Sequence, residues 1–293
     1  MKIAFLACDS TLPGAVDRRV DAFEHDFQVA ALRPALRDHD AMLVELDWRA
    51  AESDFGDCDA AIIGTTWDYE DQWDAFIARL EWLEARMPVF NSSELVKWNI
   101  DKSYLRSIET KGGTIIPTQW VDRPTITNIN DAMAQFDTDR LVVKKQIGAG
   151  ARDQILVERD AHIDENALFA SPAMLQPFLP QIRSEGEYSF IFVDGAFSHA
   201  LIKRPQTGDY RIQSAYGGTE SAVEPQQSDL DAAKSILTLL PDQSPLYARI
   251  DMLRGPDGNL LLMEAELIEP YLYPQQGPDL GRMLADAIIR RLA

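Results

Sequence analysis

Three acidic side chains, Glu264, Glu266 and Glu269, interrupt the apolar run LLLMEAELIEP near the end of this 293-residue chain. A buried strand carries charge only where something needs it. Alternation along a strand from Leu260 to Leu267 puts Glu264 and Glu266 on one face of a sheet. The preceding LYARIDMLR also reads as a strand, and GPDGN between them supplies turn residues, so the two form a hairpin. With the turn centred on Pro256 and Asp257, Arg254 faces Asn259, and Arg249 and Asp251 share the face of Glu264 and Glu266. Carboxylates about 4 Å apart repel by roughly 4 kcal/mol at an effective dielectric near 20, so such a cluster needs cations or protons. Asp251, Glu264 and Glu266 are the expected metal ligands, and an oxygen-only set points to Mg²⁺ or Mn²⁺ held together with nucleotide phosphates. The alternative is a solvated hairpin face on which Arg249 pairs Glu264, and a one-residue register slip would also break the cluster.

A second chemical signal lies upstream, where strands LVVKKQ and QILVER flank the glycine-rich IGAGARD just after Lys144. It is not a Walker loop, since the G-K-[ST] ending and the following helix are missing. Gly148 and Gly150 sit in a hairpin turn whose N–H groups can lie over phosphates. The plain alternative is an ordinary hairpin with a snorkelling lysine.

These residues need a scaffold, and the composition supplies one. With 46% hydrophobic residues the chain can bury a large core and divide into two or three compact units. Its 28 basic and 47 acidic residues give a net charge of −19, which repels nucleic acid and anionic membranes alike. The MKIAFLAC start is too short an apolar run for a signal peptide and no window approaches a membrane span, so the expected location is cytoplasmic. Cys8 and Cys58 suggest neither disulfide nor zinc, and His25, His39, His162 and His199 lack ligand spacing.

Lys2 to Ala7, Met42 to Leu46 and Ala60 to Thr65 read as strands between helices, the helix after them showing Trp73, Phe76, Ile77 and Leu80 as its apolar face. A parallel α/β sheet gathers ligands at the carboxyl ends of its strands, where Cys8-Asp9-Ser10 and Thr66-Trp67-Asp68-Tyr69 fall. Asp9, Trp67, Asp68 and Tyr69 are therefore expected to face substrate, with Trp67 and Tyr69 as core aromatics the competing reading. Beyond Asn91 come helices over Glu94 to Lys111, a strand TIIPTQWV, the glycine hairpin, MLQPFLPQI, and strands EYSFIFV and SHALIKRP joined by an Asp-Gly turn. The polar, glycine-bearing stretch from Gln206 to Ala222 suits a flexible active-site loop. Ser228 is expected to begin the next helix, and a final amphipathic helix turns Leu280, Leu284, Ala287, Ile288 and Leu292 inward.

The order of these features resembles the ATP-grasp superfamily over nearly the whole chain: Lys102, Lys144 with its glycine hairpin, LQPFL, EGEY, a GG loop, then R-x-D followed by E-x-E. It is most similar to the branch holding bacterial glutathione synthetase and the cyclo-ligase that closes O-ureido-serine to cycloserine. The resemblance implies an α/β (α+β) fold with an N-terminal parallel domain at 1–95, a glycine-hairpin lid subdomain at 96–175 and a C-terminal antiparallel-sheet subdomain at 176–293. It implies ATP with Mg²⁺ or Mn²⁺, a small amino-acid-like substrate and, as in similar ligases, a homodimer. Lys102 and Lys144 would contact phosphates, Gln176, Pro177, Phe178 and Leu179 would hold adenine, and Glu187 would take the ribose hydroxyls. Asp251, Glu264 and Glu266 match the metal positions. Arg249 would stabilise charge on the transferred phosphoryl and acyl oxygens, supported by Lys203 or Arg204, while Arg211, Gly217 and Gly218 would belong to the closing loop. Phosphoryl transfer depends mainly on positioning and charge neutralisation, so no protein nucleophile is needed.

Three departures stand out. Lys144 is followed by Lys145 and Gln146 where proline is common in the family, which leaves Lys145 as a competitor. Glu266 stands where Asn is frequent, and Glu269 where small residues contact substrate. Glu269 would then recognise an amine or ureido group, or else pair with Arg249 or Arg282. The implied activity is carboxylate activation followed by attack of an amine; a one-substrate cyclo-ligase and a non-turning-over nucleotide-binding module are the alternatives.

Overall fold

The β-α alternation at the start of the chain folds as a parallel sheet. Its strands β1 (Lys2–Ala7), β2 (Met42–Asp47), β3 (Ala60–Thr65) and β4 (Val89–Phe90) lie in the order β2-β1-β3-β4. The computed structural model describes residues 1–148, 154–206, 212, 217–242 and 244–293. Strand alternation sends Ile3, Phe5 and Ile62 to one face, where α1 (Phe23–Arg37) packs, and Ala4, Leu6 and Ile63 to the other, under α2 (Trp73–Glu84). In α2 the expected face of Phe76, Ile77 and Leu80 is buried, but Trp73, the first residue of the helix, is 43% exposed. The last helix, α8 (Leu280–Leu292), returns to pack on α1 and buries Leu280, Leu284, Ala287 and Ile288, with Leu292 partly covered. Gly281 permits this approach, since a Cβ there would lie 2.0 Å from the Ala31 carbonyl oxygen.

Two antiparallel sheets carry the rest. The first joins β5 (Gln119–Val121), β6 (Arg140–Lys145), β7 (Gln154–Glu158) and β8 (Ala173–Pro177) in the order β5-β8-β6-β7, with α5 (Ile126–Gln135) on its far face. The second joins β9 (Glu187–Val193), β10 (Ala196–Arg204), β11 (Thr219–Val223), β12 (Tyr247–Arg254) and β13 (Leu260–Glu266) in the order β11-β10-β9-β12-β13. Asp194 and Gly195 both have positive φ, 51° and 76°, the signature of the tight hairpin turn expected between β9 and β10. Around these sheets pack α3 (Ser93–Ile100), α4 (Tyr104–Thr110), the short α6 (Gln181–Ser184) and α7 (Gln227–Leu237). No helix among the described residues is long and apolar enough to cross a membrane.

Three sequence expectations need correction here. TIIPTQWV is not one strand: Ile115 and Ile116 pair with Leu262 of β13, and only Gln119–Val121 joins the other sheet. Pro117, which has no N–H to donate, marks the break. From Thr219 the supposed loop is already β11, paired with β10. Helix α7 starts at Gln227, so Ser228 lies inside the first turn and makes no cap.

Strand β13 is the outer strand of its sheet, and such an edge needs covering. The segment between the N-terminal sheet and β5 does this. Leu262 exchanges hydrogen bonds with Thr114 O and Ile116 N, Ala265 N donates to the Tyr104 hydroxyl at 2.8 Å, and the Asn99 amide donates to Ala265 O at 2.8 Å while accepting from Leu267 N at 3.0 Å. Asn91, in the left-handed region at φ 61°, closes the row with bonds to Tyr247 O, Leu267 O and Leu246 N. Helices α3 and α4 are thus fixed against the acidic hairpin, and Lys102 lies in the link between them.

Candidate active site

The β12–β13 hairpin brings Arg249 opposite Glu266 and Asp251 opposite Glu264. The register is not the one expected. Arg254 faces Leu260 rather than Asn259, a shift of one that alone would turn the glutamates to the other face. A bulge beside Asp251, where Met263 has no partner, adds a second one-residue shift and restores the shared face. The two shifts add to an even displacement, and the charged set stays on one face.

Arg249 and Asp251 are almost wholly removed from water, while Glu264 and Glu266 are half-buried. Arg249 is 7% exposed, and its guanidinium donates to Asp251 at 3.0–3.2 Å, to Tyr271 O at 3.1 Å and to Glu266. Lys203 lies between Glu187 and Asp251, pairing the first and standing 3.4 Å from the second, while Ser189 donates to Asp251. Burial opposes charge on Asp251, but Arg249 and Lys203 outweigh it and hold the carboxyl below its ordinary range. Burial also works against Lys203, yet Asp251 and Glu187 push its pKa up and keep it protonated. Glu266 goes the other way: burial, opposed by Arg249 and reinforced by Asp251 and Glu264, raises it to about 7. Arg249 therefore pairs Glu266 and Asp251, not Glu264 as the solvated-hairpin alternative required. Arg204 is exposed on the other side of β10, so of the two candidates Lys203 is the one at this site.

A cavity of about 540 Å³ opens between the two antiparallel sheets. Lys144, Gln176, Pro177, Phe178, Leu179 and Glu187, all singled out in the sequence for nucleotide, line it. The rest of the wall is largely aliphatic, with Val142, Ile182, Leu253 and Met263 among it. These residues carry no motif, and only the meeting of the two sheets reveals them. Strand alternation separates the two lysines: Lys144 turns into the cavity, whereas Lys145 lies over the Phe169 ring at 5.3 Å. Burial lowers the Lys144 pKa, with Glu264 and Glu187 opposing. Gln176, 2% exposed, donates to Thr118 Oγ1 at 2.9 Å.

A second cavity, about 560 Å³, lies beyond the hairpin carboxylates toward the N-terminal sheet. Tyr69, Lys102, Gly148, Glu264, Glu266 and Glu269 line it. So do Glu70, Trp73, Asn99 and Ile147, which sequence reading missed as site residues. An available signal was Trp73, a large aromatic at the first position of a helix that follows a strand end. Lys102 Nζ pairs Glu264 at 3.0 Å and donates to Gly148 O, tying the glycine hairpin to the acidic one. Glu264 more than offsets the burial that would otherwise lower its pKa. Burial, together with Glu266, Glu70 and Glu264, raises the Glu269 carboxyl well above its usual range, and the Tyr69 hydroxyl donates to it. Glu269 pairs with neither arginine proposed for it: Arg249 is committed as above, and Arg282 meets Asp279 and Asp286.

The remaining substrate-side residues divide. Trp67 donates its indole N–H to Glu269 O at 2.9 Å and packs under the Arg19 guanidinium, and Asp68 is taken by Trp48 Nε1 at 2.8 Å and Arg49 at 2.6 Å. Both build the loop rather than line the cavity. Asp9 is exposed at the end of β1, away from both cavity walls. Gly217, with φ 78°, stands against the Gln206 side chain and leads through Gly218 into β11, outside both walls. Gly150 and Arg211 lie outside the described residues.

Among the described residues no three acidic, histidine or cysteine side chains already converge as a metal cage. Glu264 and Glu266 nevertheless present hard oxygen donors on a cavity wall, with Asp251 beside them. Their present partners are the cations Lys102 and Arg249. That donor chemistry fits Mg²⁺ or Mn²⁺ arriving with phosphates, which would take Lys102 as counter-ion and release Glu264.

Comparison with known proteins gives the same frame. A family model described as D-cycloserine synthetase DcsG, N-terminal domain, matches residues 3–91, and one described as prokaryotic glutathione synthetase, ATP-grasp domain, matches residues 161–264. The cycloserine biosynthesis protein DcsG of Streptomyces lavendulae is 26% identical over 282 residues, 91% of this chain and 94% of that protein. Glutathione synthetase of Prochlorococcus marinus (strain MIT 9313) is 31% identical over 121 residues, 41% of this chain and 37% of its own. The crystal structure of D-cycloserine synthetase DcsG superposes with a TM-score of 0.84 at 23% identity, covering 100% of both chains. D-alanine–D-alanine ligase from Bacillus anthracis superposes with a TM-score of 0.69 at 17% identity, over 100% of this chain and 97% of that one. Fold, charged hairpin and relatives agree in one likeness: the chain is similar to ATP-grasp ligases, resembling glutathione synthetase and the D-cycloserine synthetase DcsG.

Proposed function

We propose that the protein activates the carboxylate of a small amino-acid-like substrate with ATP and joins it to an amine, releasing ADP and phosphate. The observation that carries this reading is the placement of two cavities of similar size on either side of one charged hairpin. Met263 lines the largely apolar cavity, and its neighbour Glu264, with Glu266, lines the acidic one. A nucleotide base in the first and a substrate in the second would bring the γ-phosphoryl to the Arg249 and Lys203 cations.

In the first step a substrate carboxylate oxygen attacks the γ-phosphorus, the bond to the β,γ-bridging oxygen breaks, and ADP leaves. In the second the amine attacks the acyl carbon and phosphate departs, the amine's proton passing to phosphate or solvent. Lys102 and Lys144 would hold the phosphates, Gln176 to Leu179 the base, and Glu187 the ribose. Arg249 and Lys203 would face the charge that spreads over phosphoryl and acyl oxygens. Mg²⁺ or Mn²⁺, held by Glu264 and Glu266 with Asp251, would neutralise phosphate charge. Tyr69 and Glu269 would meet the substrate, with Glu70 and Trp73 added to the set. Gly148, Gly150, Arg211, Gly217 and Gly218 would serve closure over the labile acyl phosphate.

A second reading, in which electrophile and nucleophile belong to one molecule, is favoured by the match to the DcsG N-terminal domain over residues 3–91 and by the full-length relative. Two free cysteines and ATP as co-substrate accord with a cytoplasmic setting. The expected homodimer is read by sedimentation equilibrium.

The test is ADP release with Mg²⁺ and ATP across amino acids, dipeptides and ureido- or aminooxy-serine derivatives, with Asp251→Asn as control. Release with one compound that vanishes in the control supports the cyclo-ligase, and release that needs two supports ligation. Tight ATP binding with no release across the panel would argue for a nucleotide-binding module instead.

A further inference from the structure

Tyr273 occupies an unusual position that none of the foregoing roles uses. Its backbone is in the left-handed region, φ 51°, which bulky side chains rarely adopt, and Pro274 follows, which disfavours helical conformations further. Packing on every side enforces it. Gln276 N and Gly277 N donate to Tyr273 O at 3.0 and 3.2 Å, Leu272 N donates to Gln28 Oε1 at 3.1 Å, and Arg249 Nη1 holds Tyr271 O. The His199 ring fills the space over Gly277, where a Cβ would lie 2.0 Å from Nδ1.

This conformation delivers the ring, 6% exposed, to the two buried cations of the site. Its centroid is 5.6 Å from the Arg249 guanidinium carbon and 5.9 Å from Lys203 Nζ, with Tyr271 packed behind at 4.5 Å. The carboxylates that also hold these cations cancel their field. An aromatic face attracts a cation through its quadrupole and leaves the net charge intact for an incoming anion. We propose that Tyr273 is a positioning residue for phosphoryl transfer, its ring bracing Arg249 and Lys203 in the orientation that meets the transferred group. The proposal rests on the ligase reading given above.

Ring-keeping and ring-removing variants test it. Tyr273→Phe keeps the ring; Tyr273→Leu replaces it with a smaller aliphatic side chain, with Tyr273→Met in reserve should the leucine variant fail to fold. The phenylalanine variant should hold kcat within about 3-fold, and the aliphatic one should lower it at least about 10-fold, with KM and Kd for nucleotide within about 3-fold. The Arg249 Nε–H resonance, shifted by the ring current, should move in the aliphatic variant and stay in Tyr273→Phe. The idea is overturned if a folded aliphatic variant keeps kcat, if its loss appears in nucleotide Kd, or if phenylalanine fails as badly. A wild-type protein that releases no ADP would sink the ligase reading, while the Nε–H signal would still decide whether the ring braces the arginine.

Discussion

Arg249→Met tests whether the buried charge set is built as described. The guanidinium has Asp251 at 3.0–3.2 Å, Glu266 and Tyr271 O as partners, and nothing replaces it. Each ion pair at about 3 Å is worth roughly 5 kcal/mol in gross attraction at an effective dielectric near 20, most of which offsets desolvation. Removing one partner leaves buried carboxylates uncompensated, at a cost of about 3–5 kcal/mol, or roughly a 10 °C fall in Tm for a chain of this size. The loss should also depend on pH. Glu266 has its folded pKa raised from 4.5 to about 7, so its ionisation lowers wild-type stability as pH rises through that window, and the Arg249 pair limits the fall. Without Arg249 the same ionisation has no counter-charge, so the difference between variant and wild type should be smaller near about pH 5.5 than near about pH 8. A part should remain at the lower pH, because Asp251 stays ionised there. Urea midpoints at both pH values, with and without Mg²⁺ and ADP, read these differences. A variant within about 2 °C of wild type at both pH values, or a loss that does not grow with pH, would refute the reasoning.

Three further outcomes follow from the same structure. Burial lowers the His199 pKa from 6.5 to about 4, so the fold favours the neutral ring and stability should fall as pH drops from 6.5 toward 4. The loss approaches about 3 kcal/mol, and His199→Asn should flatten that limb in urea titrations. Gly281→Ala would force a Cβ to 2.0 Å from Ala31 O and part α1 from α8, lowering Tm by about 1–3 kcal/mol equivalent with kcat unchanged; an unchanged Tm would contradict the packing. Val142→Phe should partly fill the cavity between the antiparallel sheets and weaken nucleotide binding at least about 10-fold by calorimetry, with Tm near wild type. Unaltered affinity would move the base elsewhere.

Much of this architecture was legible because it depends on local periodicity. Alternation located β12 and β13, helical spacing located α2 and α8, and the acidic interruptions marked the hairpin face. The bulge at Met263 was not legible, since nothing in MEAE distinguishes an unpaired residue from a paired one, and the correct face emerged only because the turn was also displaced. Pairings across the fold were equally hidden. Lys102 meeting Glu264, or Lys203 lying between Glu187 and Asp251, requires knowing how three sheets and two short helices assemble. Loop residues fared worst. Trp67 and Asp68 were expected to face substrate, yet their partners Glu269, Trp48 and Arg49 hold them as structure, while Glu70 and Trp73 a few positions on line the acidic cavity. Strand ends locate a site; which side chain turns inward is settled by partners distant in sequence.

The most direct test of the central claim follows oxygen. A substrate found in the panel is labelled with ¹⁸O in its carboxylate, turned over with Mg²⁺ and unlabelled ATP, and the released phosphate is weighed by mass spectrometry. Activation through an acyl phosphate predicts one ¹⁸O in each phosphate released during product formation. Phosphate that stays unlabelled while product accumulates would contradict the account.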